Sequence, residues 1–320
     1  MSPRECATGE TAMTKSTRVM ALAGAMALVA GAAGGASAAN VYLFSTGNSS
    51  VDAAYVAAMS AYGHTTTVGR PWSTFDGTVN LAGFDVVFMT HSANWGGSGQ
   101  QVPAAGQTQL VDFVRAGGGV VTIEWIVYNN GVSSGAAYSI LAPILPVTYG
   151  GTWNSATVTT LNVETPEFTM SGGLDPAFTI PMQSFSGCES RLLAKPGATV
   201  FYTSSNMSAP GVVAAAVAGW EVDAGRVVSF SSMPGPTSLQ DPNLVRLLGN
   251  MVEWASGTQP PVCPDCAADF DLDGGVTPAD VGAFFLSLEI GSPCADIDQD
   301  GGITPGDAAA FFAIFEQGGC

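Results

Sequence analysis

The sequence predicts an α/β protein: a mostly parallel sheet flanked by helices, followed by a small all-α unit. Three observations carry this. Residues 40–257 alternate short apolar runs with helix-period stretches. Residues 269–307 contain one twelve-residue acidic pattern twice. Between them, Ser256–Val262 with Pro260-Pro261 has the composition of a linker. The predicted organisation is a leader over 1–38, a body over 39–255, a linker over 256–262 and a tail over 263–320.

The leader comes first. Lys15 and Arg18 form a basic region, and Val19–Ala33 is an apolar run too short and too rich in Ala and Gly to span a membrane. Ala36-Ser37-Ala38 fits a signal-peptidase site, and Met13 is an alternative start. A secreted or surface-attached protein is expected, and no later segment has the length and apolarity of a membrane span. Removing residues 1–38 leaves 6 basic and 24 acidic residues, a net charge of −18. That excess argues against nucleic acid and against anionic membrane surfaces.

In the body, Val41–Phe44 reads as a buried strand. Ser49 or Ser50 can cap a helix through Tyr62 that Gly63 stops. Thr65–Val68 and Val86–Met89 are the next strands. Pro103 opens a helix with Leu110, Val111 and Val114 on one face, ended by Gly117, and Val120–Ile123 follows as a strand. The middle is more β-like, with alternation at Val158–Val163 and runs at Val200–Tyr202 and Val212–Val217. Gly225–Phe230 is the last strand. Asp241-Pro242 then caps a helix carrying Leu244, Leu247, Leu248 and Met251.

Open parallel sheets bind ligands beyond the carboxyl ends of their strands. The segments expected there bring Trp72, His91, Asn94, Trp95, Glu124 and Trp125. Flat aromatics beside hydrogen-bonding side chains suit a sugar or a small polar ligand. Ordinary packing at loop bases is the alternative for the same residues. A second carboxylate opposite Glu124 would point to an enzyme that uses Glu124 and His91. Cys188 has no strand-to-helix elbow around it and reads as a structural cysteine.

The tail has the most direct chemistry. Asp269, Asp271, Asp273, Gly274, Gly275 and Asp280 recur 27 residues later as Asp296, Asp298, Asp300, Gly301, Gly302 and Asp307. Carboxylates at positions 1, 3, 5 and 12, a backbone carbonyl at 7 and Gly at 6 are the ligand set of a calcium loop. Two calcium ions are therefore expected, on Asp269, Asp271, Asp273, Gly275 and Asp280, and on Asp296, Asp298, Asp300, Gly302 and Asp307. Each loop runs into a helix through Thr277-Pro278 or Thr304-Pro305, with Asp280 and Asp307 placed to close capping boxes. Val281, Phe284, Phe285 and Leu288, and Ala308, Phe311, Phe312 and Phe315, fall at i, i+3, i+4, i+7 and are expected to form one packed seam. Cys263, Cys266, Cys294 and Cys320 flank the loops. Disulfides are expected, and a zinc site is the alternative.

Loop plus exit helix, twice, with a terminal Gly319-Cys320, resembles a dockerin of the Gly-Cys-ending type over Cys263–Cys320. The resemblance implies a calcium-dependent module that attaches the chain to an extracellular or surface protein. Loop positions 10 and 11 are Pro278-Ala279 and Pro305-Gly306 where cellulosomal dockerins carry polar recognition residues, which tells against a cellulosome-type cohesin.

The body is similar to the class I glutamine amidotransferase-like fold, in its trehalose-utilisation-like branch. The likeness rests on Phe84–Thr90 after Gly83, on Gly117–Glu124, on Thr165-Pro166 with Gly173-Leu174, and on Gly225-Arg226-Val227-Val228 with Trp254-Ala255. Such enzymes place a nucleophilic Cys after the strand that here ends at Ile123, where this chain has Glu124-Trp125-Ile126. Two functions are in view: a tail that tethers a non-catalytic body, or an extracellular carbohydrate-active enzyme using Glu124 and His91.

Overall fold

The computed structural model describes residues 38–90, 101–132, 138–182, 189–257, 266–270, 275–289, 292–298 and 303–318. Residues 1–37, in which the leader is expected, residues 258–262, Cys188, Cys263 and Cys320 lie outside them.

The body runs β1 (Asn40–Ser45), α1 (Ser49–Ser60), β2 (Thr65–Pro71), β3 (Val86–Met89), α2 (Ala104–Arg115), β4 (Gly119–Thr122) and α3 (Glu124–Val132). It continues β5 (Val147–Asn154), β6 (Val158–Val163), α4 (Phe168–Ser171), β7 (Ala177–Pro181), β8 (Glu189–Ala194), β9 (Thr199–Ser204), β10 (Ala215–Val222), β11 (Gly225–Phe230) and α5 (Pro242–Ala255). The strands form one 11-stranded sheet in the order β2-β1-β3-β4-β11-β10-β9-β6-β7, with β5 on β8 and β8 on β10.

The expectation of a mostly parallel sheet is corrected here: the sheet is mixed. β2, β1, β3, β4 and β11 are parallel neighbours. Every other pairing is antiparallel. The cause is the connections. Parallel neighbours need a crossover of a dozen residues or more, usually a helix. Between β5 and β11 the only α-helix among the described residues is the four-residue α4, so those strands pair as antiparallel neighbours. The turn from β10 to β11 is two residues long and holds Asp223 at φ 53°.

Strand periodicity divides the core. Val41 and Leu43 of β1 face a cluster with Val51, Tyr55 and Met59 of α1 and Leu244, Leu247, Leu248 and Met251 of α5. Tyr42 and Phe44, pointing the other way, join Leu110, Val111 and Val114 of α2 and Ile126 and Val127 of α3. β3 and β4 are buried along their whole length, as strands covered on both faces must be.

Two local expectations shift. The cap of α1 is Asn48, whose side chain accepts from Ser50 N at 3.1 Å, and the helix ends at Ser60. Asn satisfies the free N–H groups as well as Ser does, so propensity alone leaves the choice to the neighbouring chain path. The predicted strand Val212–Val217 begins only at Ala215.

Gly119 marks where α5 meets the sheet. A Cβ there would lie 2.2 Å from the Ala255 carbonyl oxygen. Backbone cannot yield as a side-chain tip can, so Gly119→Ala should destabilise the body by about 1–3 kcal/mol, the range for overpacking. A denaturant midpoint equal to that of the parent would show that α5 shifts freely.

In the tail, α6 (Pro278–Glu289) and α7 (Pro305–Phe315) share a third apolar cluster with Phe270, Cys294 and Ala295. Phe284 and Phe311, 27 residues apart, stack with centroids 4.1 Å apart and planes 1° off parallel. Phe270 meets both edge-on. The predicted single seam is corrected in part, because Phe285 and Phe312 are 45% and 36% exposed. One residue further along a helix is a turn of about 100°, which carries them out of the stacked centre. Cys266 and Cys294 are each part of a disulfide. Among the described residues no helix is long and apolar enough to cross a membrane.

Candidate functional site

Only Ile123 separates β4 from α3, and the first residue of α3 is Glu124. Its backbone N–H donates to Ser232 O at 3.4 Å, tying it to the chain just beyond β11. Its side chain is buried, at 2% exposure. Oε1 accepts a hydrogen bond from Ser190 Oγ at the start of β8. Burial pushes its pKa up to about 8; Ser190 pulls it down and the nearby Glu189 raises it further. At neutral pH the group is mainly the neutral acid.

Glu189 is a second, fully buried carboxyl group that no sequence motif singles out. Oε1 accepts from Ser231 Oγ at 3.1 Å. Burial raises its pKa as well, against the lowering effect of Ser204, Ser231, Thr159 and Asn206 around it. Oε2 of each glutamate is buried without a hydrogen-bond partner among the described residues. The hydroxyl set continues inward with Thr122 Oγ1 and Ser229 Oγ, 2.7 Å apart. This gives a nest of carboxyl and hydroxyl groups at the carboxyl ends of β4 and β11. One signal for it lies in the sequence: Ser229, Ser231 and Ser232 are polar residues following the apolar pair Val227-Val228 at the end of β11.

The two glutamates do not face one substrate. Consecutive residues of a strand point to opposite faces, so Ser190, which engages Glu124, and Glu189 diverge. Two of the three tryptophans are described, and they belong to different clusters. Trp72 packs with Tyr42 and Phe75 on one face, and Trp125 with Ile123 and Phe230 on the other. Trp72 and Trp125 thus sit in core clusters on opposite faces of the sheet. His91, Asn94 and Trp95 lie outside the described residues. His64 is a core residue held by Ala39 N and Gly249 O. A groove of about 460 Å³ opens beside Leu81, Asp85, Gln109, Asp112 and Gly118, at the amino ends of β3 and β4, the opposite end from Glu124.

The tail repeats supply a different chemistry. Asp296, Asp298 and Asp307 each offer a carboxylate oxygen within 4.8 Å of the others. Calcium–oxygen bonds of about 2.3–2.6 Å allow ligand oxygens to stand up to about 5 Å apart, so this donor set fits that ion. Asp307 is buried, with Oδ2 accepting from Thr304 N at 2.7 Å and Oδ1 from Asp298 N at 3.2 Å. The Thr304 N–H is the main group holding its carboxyl below the usual range. Thr304 and Asp307 complete the capping box of α7. In the first repeat Asp280 Oδ2 accepts from Thr277 N at 2.7 Å, and Asp280 is equally buried. Asp269 and Gly275 are described; Asp271, Asp273, Asp300 and Gly302 are not.

No family model matches the sequence, and none of the curated proteins matches it. Solved structures do. A protein of Salmonella typhimurium, Cytoplasmic Protein STM3548, is 14% identical with a TM-score of 0.51, over 68% of this chain and 98% of its own. Cytoplasmic Protein STM1381 of Salmonella typhimurium LT2 is 12% identical with a TM-score of 0.50, over the same shares. A ThuA-like protein of Parabacteroides merdae ATCC 43184 is 11% identical with a TM-score of 0.49, over 72% and 94%. At such identities the likeness concerns the fold alone: a mixed α/β sheet flanked by helices.

Proposed function

We propose that this chain is a secreted modular protein. Its dockerin-like, calcium-dependent tail attaches an amidotransferase-like body of the trehalose-utilisation type, itself non-catalytic, to an extracellular or cell-surface protein. The observation that carries the reading is the convergence of Asp296, Asp298 and Asp307 at the capped start of α7. Asp269, Asp271, Asp273, Gly275 and Asp280 would hold the first ion. Asp296, Asp298, Asp300, Gly302 and Asp307 would hold the second. Bound calcium would neutralise the loop carboxylates and fix the two exit helices against each other. The disulfide-bonded Cys266 and Cys294 suit an oxidising compartment.

The non-catalytic reading of the body rests on Glu124. It stands just past β4, with only Ile123 between, at the point where amidotransferases of this fold carry their nucleophilic Cys, and a buried carboxyl group bonded to Ser190 is no substitute. One observation favours a second reading, an extracellular carbohydrate-active enzyme using Glu124 and His91: Glu189 adds another carboxyl group nearby. Its divergence from Glu124 and the burial of both weigh against that reading.

Calorimetric titration of calcium into the chelated full chain tests the tail. Uptake of about two ions is expected, falling to about one in Asp298→Ala. Cell-associated protein should be released by chelation and lost in a double variant, Asp271→Ala with Asp298→Ala. No calcium uptake, or surface retention indifferent to both, would refute the proposal. Turnover of a sugar substrate that disappears in Glu124→Gln would instead establish the enzyme.

A further inference from the structure

Ala39, at the start of the body, has an unusual partner. It is 1% exposed, while Ala38 beside it is exposed. Ala39 O accepts from Thr65 N at 2.9 Å. The next residue, Asn40, donates its N–H to Asp85 Oδ2 at 2.7 Å and accepts from Asp85 N at 2.8 Å. Ala39 N–H, however, bonds to a side chain: it donates to Nδ1 of His64 at 3.3 Å. The other ring nitrogen, Nε2, lies 3.3 Å from Gly249 O on α5. A carbonyl can only accept, so Nε2 carries the proton and Nδ1 is left as an acceptor. His64 is 3% exposed, so nothing from solvent serves that acceptor. The imidazole is fixed in one tautomer, aimed at the backbone nitrogen of residue 39.

That nitrogen is also the one that cleavage after Ala36-Ser37-Ala38 would free. We propose that His64 is the receptor for the α-amino group created when the Ala38–Ala39 bond is hydrolysed, an inference that rests on reading residues 1–38 as an export leader. In the hydrolysis water adds across the bond: its hydroxyl goes to the Ala38 carbonyl carbon, the C–N bond breaks, and its proton goes to the Ala39 nitrogen. The new amine keeps one N–H on Nδ1 and turns the others to the side that Ala38 occupied, which is open to water. Every sheet bond of Ala39 and Asn40 survives. Cleavage one residue later would lose both the Thr65 bond and the His64 bond. Because Ala39 is buried, a peptidase reaches this bond only before the body folds. Folding then ties the nitrogen to His64 and closes β1 against α5 through one imidazole.

Two measurements separate the parts of this proposal. Sequencing the exported protein should give Ala39 as its first residue, and a different first residue would overturn both the assigned bond and the leader boundary. Independently of export, the chain 39–320 with a free amine should undergo reductive methylation at its N-terminus about tenfold more slowly when folded than in urea, as one charge-assisted hydrogen bond allows. His64→Gln, whose carbonyl oxygen can accept, should keep part of that protection and His64→Leu should lose it. If His64→Leu fails to fold, a chain starting at Ala38 is the comparison, because its amine lies one residue beyond the imidazole and should label at the unfolded rate. Equal labelling of the Ala38 and Ala39 amines would overturn the role of His64 while leaving the leader reading intact.

Discussion

Replacing Glu124 by glutamine should remove a large alkaline loss of stability from this protein. In the unfolded chain the carboxyl titrates at its ordinary value of 4.5, and in the folded body burial holds it at about 8. Below pH 4.5 both states carry the proton and the group contributes no pH dependence. Between 4.5 and about 8 the unfolded state releases its proton and the folded state does not, so unfolding becomes progressively easier as pH rises. Each pH unit in that window is worth about 1.4 kcal/mol, and the whole window on the order of 5 kcal/mol. Above pH 8 both states are ionised and the loss is complete. The amide introduced by Glu124→Gln has no proton to release and keeps an oxygen for Ser190 Oγ. The variant's unfolding free energy should fall less steeply across the window, and above pH 8 it should exceed that of the parent. His64 and Glu253 also titrate differently on unfolding. Both are present in parent and variant, so the difference between the two curves isolates Glu124. Denaturant unfolding from pH 4 to 9 decides it, and parallel curves would show that Glu124 is ionised inside the fold. A residual slope of the same sign is expected from Glu189, whose buried carboxyl is also raised.

Chelation together with reduction should unfold the tail and leave the body intact. Three carboxylate oxygens stand within 4.8 Å of one another in the second loop. A like-charged pair at 4 Å costs on the order of 4 kcal/mol at a surface-like dielectric. The opposing contributions are few: the Phe284–Phe311 stack, the edge-on Phe270 and two capped helices. So small a cluster is marginal without staples. An ion that binds only the folded form adds about 2.7 kcal/mol at a hundredfold excess over its Kd. Each disulfide adds roughly 2–4 kcal/mol by restricting the unfolded chain. Hydrogen exchange should therefore accelerate across Pro278–Glu289 and Pro305–Phe315 when calcium is chelated, and reach the unfolded rate when the disulfides are reduced as well. β4 and β11, in the body's two-sided core, should keep their protection throughout. Full protection of both helices in the reduced, metal-free protein would mean that the phenylalanine stack suffices, and the calcium requirement would be withdrawn.

Much of the architecture is written locally. β6 and β11 fall at the residues their patterning marks, and α5 starts at the Asp241-Pro242 cap because the cap, the proline and the apolar stripe agree. The same holds for α6 and α7, where Thr-Pro and the buried aspartate three residues on define the helix start. The doubled spacing of 27 residues puts Phe284 and Phe311 at equivalent positions of the two repeats, and the structure stacks them. Strand partners are another matter. Nothing within β5, β8 or β10 states that β8 joins both others or that the sheet changes from parallel to antiparallel at β11. Pairing is a contact between distant residues, and local pattern records only which face each side chain prefers. The glutamate nest shows the same limit. Glu124 is conspicuous in the sequence, but Glu189 is not, and Ser190 meets Glu124 from 66 positions further along the chain. Likewise Trp72 and Trp125 look like two walls of one crevice until the sheet stands between them. Sequence alone thus determined the elements whose cap, breaker and apolar pattern agree, because these depend on neighbours along the chain. Tertiary structure decided which polar groups lose water together, and with that the charge state of Glu124, because desolvation depends on everything packed around a residue and not on its neighbours in sequence.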